Sequence, residues 1–226
     1  MSQAILHQWE ISPFCQKVAK ALQHKGIAYQ VVNYNGILGS KVPRLSKVGK
    51  LPVLDINGQR LQDSTRIARY LDEAFADAPR LYPTEPMAKA HVEIWEDWAD
   101  ESLYWFEIYF RVMDDNALEL AVEVSSLGRP AYERALLKPL LKTALKTQVY
   151  MQGLGRMNKT DVEAEFARHL ARLESVLSMS KYLVGDCCTI ADIAVATQLN
   201  EIIRTSVPMR AVILSKPMIK AWLQRV

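Results

Sequence analysis

Ser12, Pro13, Phe14 and Cys15 stand in a row where a short apolar run, residues 4–9, gives way to apolar positions at helical spacing: Val18, Ala19, Ala21 and Leu22. Serine is a strong helix N-cap, and proline suits the first helical position because its missing N–H would have no partner there. The turn therefore puts a hydroxyl at a helix N-terminus, where unpaired amides and the helix dipole favour negative charge. A thiolate held at that point is stabilised. A free thiol has a pKa of about 8.5, and lowering it by about 2 units takes about 2.7 kcal/mol. One hydroxyl donor at about 1.5–3 kcal/mol and a helix terminus at about 0.3–2 kcal/mol supply that amount. Ser12 need not attack anything, since no His–Asp pair is placed by the sequence to activate it. Read blandly, Ser12 is an N-cap and nothing more.

The elements around this turn follow from pattern. Residues 4–9 read as a strand, 13–25 as a helix ended by Gly26 in the left-handed conformation, and 28–34, rich in β-branched and aromatic residues, as a second strand. A strand–helix–strand run implies a parallel pair with a right-handed crossover. Residues 35–50 are irregular. Asn57-Gly58 is a strong hairpin signal, so 53–56 and 59–62 are expected to be antiparallel strands, with Pro52 at the start of the first. Asp63-Ser64-Thr65 then caps a helix carrying Ile67, Tyr70, Leu71, Ala74 and Phe75 on one face. Residues 77–86, with three prolines, read as a linker. Beyond it strand signals vanish, and helices are expected over 88–113, 117–126, 130–152, 161–178, 189–204 and 216–225, with Pro139 kinking or splitting the third. The fold class is thus α/β plus all-α: a unit over 1–76, the linker 77–86, and an all-helical unit over 87–226.

Bulk properties narrow the function. The chain has 226 residues, half of them hydrophobic, enough for a sizeable core. A net charge of +3, from 28 basic and 25 acidic residues, argues against a nucleic-acid or membrane-surface partner. The first residues, Met1 to Ile5, lack the pattern of a signal peptide, and no apolar run approaches the ~18 residues of a membrane span. Three cysteines do not make a disulfide framework, so a cytoplasmic, reducing compartment is expected.

The remaining motifs each have a plain reading beside the chemical one. Val92, Trp95, Ala99, Leu103, Phe106, Phe110 and Met113 form the apolar stripe of one long helix, and Trp98, Ser102, Trp105 and Tyr109 form a second row. Two rows need two burial partners: core, a subunit interface, or an open pocket for an apolar substrate. As a pocket, Trp105 and Tyr109 with Trp9 and Phe14 are the candidates. Cys15 makes a Ser-x-x-Cys motif, a redox Cys-x-x-Cys without its exposed attacking thiol. One turn into the helix it is expected to be structural, with mixed-disulfide chemistry open only if the side chain is accessible. Cys187-Cys188 are expected in the core. His7, His24, His91 and His169 share no ligand spacing with the cysteines, so no metal site is expected. Arg134, Lys138, Lys142 and Lys146 read as a solvated helix face or as an attraction for anionic substrates.

The order of these features, Ser12-Pro13-Phe14-Cys15 after the first strand, Lys50-Leu51-Pro52-Val53-Leu54 before the hairpin and Asp63-Ser64 at the next helix, resembles the N-terminal, thioredoxin-like domain of glutathione S-transferases. In the second half, Leu183-Val184-Gly185-Asp186-Cys187-Cys188-Thr189-Ile190-Ala191-Asp192 resembles that family's capping-box segment, with Thr189 as N-cap and Asp192 as its partner. The resemblance implies a thioredoxin-like β-α-β-α-β-β-α domain followed by helices. It implies glutathione as co-substrate, with Leu51 presenting backbone groups to the cysteinyl part, a cis Pro52, Asp63 and Ser64 at the γ-glutamyl end, Lys50 at the glycyl carboxylate, and Ser12 as thiolate stabiliser. It implies thiolate attack on a small apolar electrophile, and a homodimer. A glutathione-dependent isomerase, dehalogenase or peroxidase on the same scaffold, or a non-catalytic binding protein that kept the fold, remain as alternatives.

Overall fold

The computed structural model describes residues 4–226. The expectation of no leader at Met1 to Gln3 therefore falls outside the described residues. Four strands form one sheet in the order β2-β1-β3-β4: β1 (Ala4–Gln8), β2 (Tyr29–Asn33), β3 (Val53–Ile56) and β4 (Gln59–Gln62). β1 runs parallel to β2, with Ala4 opposite Tyr29, and antiparallel to β3, with Leu6 opposite Leu54. Asn57 and Gly58 take φ of 49° and 74°, which gives the β3–β4 hairpin the two positive-φ residues of a type I′ turn.

Helix α1 (Pro13–His24) crosses from β1 to β2, a 3₁₀ turn (Gly36–Lys41) and α2 (Val42–Leu45) fill the connection to β3, and α3 (Ser64–Ala74) follows β4. Gly26, at φ 67°, ends α1 as expected. This sheet domain is followed by a helical one: α4 (Pro86–Trp98), α5 (Tyr104–Met113), α6 (Asp115–Ser125), α7 (Ala131–Gln152), α8 (Lys159–Met179), α9 (Ile190–Thr205), α10 (Val207–Leu214) and α11 (Pro217–Leu223). The eight-residue α10 was not expected. Pro139 neither splits nor ends α7, which runs unbroken through it.

The expected single helix over 88–113 is interrupted by a π-helical turn, Ala99–Leu103, between α4 and α5. A π turn winds an extra residue, so everything after Leu103 is rotated by about one position relative to α-helical counting. Glu107 and Arg111 are buried beside Phe106 and Phe110, which keep their place in the core against Phe166 of α8, with ring centroids 5.7 and 5.0 Å away, while Met113 is exposed.

One apolar core runs through both domains, from Leu6, Leu22, Leu54 and Ile67 to Phe166, Ile193 and Trp222. A smaller cluster of Cys15, Val42, Leu51 and Val53 sits under the connection to β3. The proline-rich stretch after α3 is held firmly: the Asp72 carboxylate accepts from the amides of Leu81 and Tyr82 at 2.8 and 3.2 Å and pairs with the buried Lys25 at 2.9 Å. Leu81 in turn accepts from the Ile190 amide at 2.9 Å. Asp192 makes the expected capping box with Thr189 at the start of α9.

Candidate functional site

Ser12 is the N-cap of α1, in extended conformation at φ −84° and ψ 119°, with Pro13 at the first helical position. Its Oγ accepts from the Cys15 amide at 3.4 Å, and its hydroxyl also hydrogen-bonds the Cys15 side chain. No acidic side chain lies in the first turn to oppose an anion. Ser12 is half-buried.

A cleft of about 970 Å³ opens between the sheet domain and the α4–π-turn segment. All five residues expected to bind glutathione, Lys50, Leu51, Pro52, Asp63 and Ser64, line it. So does Phe14, so the cleft ends at the first turn of α1; Ser12 itself is not part of the wall. The Leu51–Pro52 bond is cis. Asp63 caps α3 from φ 76°, its Oδ1 accepting from the Arg66 amide at 3.0 Å, and Ser64 begins the helix, buried. The loop before Pro52 is organised by Ser46, whose hydroxyl donates to Gln62 Oε1 at 3.1 Å and accepts from the Lys50 amide at 3.3 Å. Lys50 is exposed.

The sequence reading missed one wall. Asp100, on the π turn, lines the cleft. Its Oδ2 pairs with Lys17 Nζ at 2.6 Å, while its Oδ1 is buried without a hydrogen-bond partner. Burial pushes its pKa up, Lys17 pulls it back, and Glu96 and the nearby Asp63 push it up again. Lys17, almost wholly buried on α1, also pairs with Glu96 at 2.6 Å and donates to Thr65 Oγ1 at 3.1 Å. A lysine in the core of an amphipathic helix is a visible oddity in the sequence, but its partners, Glu96 and Asp100, lie in a distant part of the chain.

The other candidate residues divide between core and surface. Tyr109 is buried in the main core, its ring 5.6 Å from Phe110, and it does not line the cleft. Trp105 packs partly against the same core, 5.3 Å from Tyr104. Tyr104, not Trp105 or Tyr109, meets Phe14, at 4.9 Å between centroids. Trp9 covers the smaller cluster, and its indole Nε1 donates to the Tyr34 carbonyl at 2.9 Å instead of facing the cleft. Trp98 packs on Trp95 and His169. Cys15 is completely buried, as expected of a structural cysteine, and that burial pushes its thiol up to about 12, outweighing the Ser12 hydrogen bond that lowers it, so the side chain is neither accessible nor readily ionised. Cys187 is exposed and Cys188 half-buried, not core as expected. Arg134, Lys138 and Lys142 are paired with α6: Arg134 with Glu119 at 2.9 Å, Lys138 also with Glu119, and Lys142 with Asp115 at 2.7 Å. Among the described residues no group of three or more His, Cys, Asp or Glu side chains could hold a metal ion, and no helix is long and apolar enough to cross a membrane.

Comparison with known proteins adds two family matches: the model of the glutathione S-transferase N-terminal domain fits residues 6–79, and that of the glutathione S-transferase C-terminal domain fits residues 141–226. Glutathione S-transferase U10 of Arabidopsis thaliana is 31% identical over 116 residues, 50% of this chain and 48% of its own length. The first curated relatives are thus matched over about half their length. A glutathione S-transferase of Hyoscyamus muticus is 25% identical over 222 residues, 96% of this chain and 90% of that one. The crystal structure of beta-etherase LigF from Sphingobium sp. strain SYK-6 shares the fold with a TM-score of 0.71 at 20% identity, over 99% of this chain and 94% of that one. With the sheet domain, the helical domain and both family matches in agreement, the chain belongs to the glutathione S-transferase family.

Proposed function

We propose that the protein is a glutathione transferase that conjugates the glutathione thiolate to a small apolar electrophile. The observation that carries this reading is the convergence of Lys50, Leu51, Pro52, Asp63 and Ser64 on one cleft that ends at the first turn of α1. The donor set fits the tripeptide. The N-terminus of α3 at Ser64 suits the γ-glutamyl carboxylate, and Asp100, on the same cleft wall, suits its ammonium. The Leu51 backbone takes the cysteinyl part, and exposed Lys50 the glycyl carboxylate. Ser12 donates its hydroxyl to the sulfur and keeps it ionised, while the walls fix its direction of attack, which replaces a bimolecular encounter. Phe14 and Tyr104 form the apolar side on which the electrophile rests. We divide the chain into a glutathione-binding unit over 1–76, a connection over 77–86 and a helical unit over 87–226, and assign it to the cytoplasm as a homodimer.

Calorimetry with glutathione, followed by turnover of a chloronitrobenzene electrophile, tests this. Binding below millimolar together with chloride release is expected. No binding at millimolar glutathione overturns the reading in favour of a binding protein that kept the fold.

A further inference from the structure

The turn that precedes Ser12 is not held by its own neighbours alone. Every backbone carbonyl in it has a donor, as buried carbonyls require. Trp9 O accepts from the Ser12 amide at 3.1 Å. Glu10 O accepts from Gln16 Nε2 at 2.8 Å and from Arg204 Nη2 at 3.2 Å. Ile11 O accepts from Arg111 Nη2 at 3.2 Å. The two guanidinium groups come from α5 and α9, in the other domain.

Both arginines are themselves fixed. Arg111, 5% exposed, is ion-paired with the wholly buried Glu107 one turn earlier on α5 and lies 3.6 Å from Glu201. Arg204 pairs with Glu201 at 2.9 Å and stands 3.8 Å from the Glu10 carboxylate. Two arginines and two glutamates of the helical domain thus form one cluster, whose Nη2 groups reach the Glu10 and Ile11 carbonyls.

We propose that Arg111 and Arg204 are positioning residues, a clamp by which the helical domain fixes the Glu10–Ile11 backbone and so sets where the Ser12 hydroxyl points. The proposal rests on the role given to Ser12 above. Its physical basis is that the planar fork of an arginine bonds a carboxylate and a carbonyl at once, which a lysine does poorly, and that a displacement of about 1 Å at a reacting centre costs about 100-fold in rate. Without the clamp, the Ile11 carbonyl loses its donor and the turn is free to rotate about the N-cap.

The test is the pKa of the thiol of bound glutathione, read from the ultraviolet absorbance of the thiolate across a pH series, beside glutathione affinity, kcat and thermal midpoint. The proteins are wild type, Arg204→Ala, Arg204→Lys and the double variant Glu107→Gln/Arg111→Gln. The double variant removes both members of the buried pair and avoids stranding a charge, and Arg204, about one-third exposed, is removable without opening the core. In Arg204→Ala and in the double variant the bound thiol is expected to rise by about one unit and kcat to fall about tenfold, with affinity within about threefold. Arg204→Lys, which keeps a charged donor, recovers part of the loss. A lowered midpoint with an unchanged thiol pKa in both variants overturns the clamp and leaves the Ser12 reading standing. A wild-type protein that leaves the thiol at its solution value overturns the Ser12 reading and the clamp with it.

Discussion

The indole Nε1 of Trp222 donates to Oδ1 of Asp192 at 2.9 Å, joining the last helix to the first turn of α9. The same carboxylate accepts from the Leu183 amide at 2.9 Å and from the amide and hydroxyl of Thr189, each at 3.0 Å. Both residues are fully buried. Removing the carboxylate strands four donors, each costing about 1–3 kcal/mol when left unsatisfied, though not additively. Asp192→Ala is expected to lose at least about 3 kcal/mol, on the order of 10 °C in thermal midpoint for a chain of this size. Asp192→Asn, which keeps the shape and one acceptor, is expected to lose less. Thermal melts of the two variants check the order.

Ser12→Ala removes the hydroxyl and leaves the helix N-terminus. Turnover with a model electrophile is expected to fall at least tenfold, the equivalent of about 1.4 kcal/mol, with glutathione affinity largely kept. Steady-state kinetics beside calorimetry check it, and an unchanged kcat removes Ser12 from the mechanism.

Ser64→Ala and Asp100→Asn act on binding. Each is expected to weaken glutathione about tenfold with a smaller effect on kcat, since their contacts are the same in ground and transition states. Lys50→Ala, at an exposed position, is expected to cost less and to matter only at low salt.

Burial pushes the Glu107 carboxyl up to about 7 against the pull of Arg111, with Glu201 pushing the same way. Its folded pKa lies above its unfolded one, so between about pH 4.5 and 7 the folded state holds the extra proton. Stability contributed by this group is full below that window and falls as pH rises through it, by up to about 3 kcal/mol. Glu107→Gln is expected to flatten the decline. Denaturant midpoints at pH 5 and pH 7.5 for both proteins measure it.

The three cysteines should separate by access. Cys187 is exposed, whereas Cys15 and Cys188 have thiols pushed up to about 12 by burial. An aromatic disulfide reagent is expected to find one fast thiol in the folded protein and three in denaturant. Two fast thiols in the native state would contradict the placement of Cys15 or Cys188.

What the sequence made legible is what local rules govern. Ser12 as N-cap, the Asn57-Gly58 hairpin and the Thr189–Asp192 box each depend on a few neighbouring residues with strong conformational preferences. The cleft residues from Lys50 to Ser64 were read from their order, and the structure gathers them in one place. The electrophile side stayed open because a second apolar row does not say what buries it; the structure puts Tyr109 in the main core and brings Tyr104 to Phe14. Asp100, Lys17 and the Arg111–Ile11 contact were invisible because they bring together residues from distant elements.

The clasp of Asp72 on Leu81 and Tyr82, and of Leu81 on Ile190, ties the crossover between the halves to both of them. Together with a hydrophobic interior shared by α1, α3 and α9, it leaves neither half a complete surface of its own. Heating should therefore melt the polypeptide in a single calorimetric peak, and a fragment severed within residues 77–86 should remain collapsed but unable to hold a fixed shape until the missing piece is returned to it.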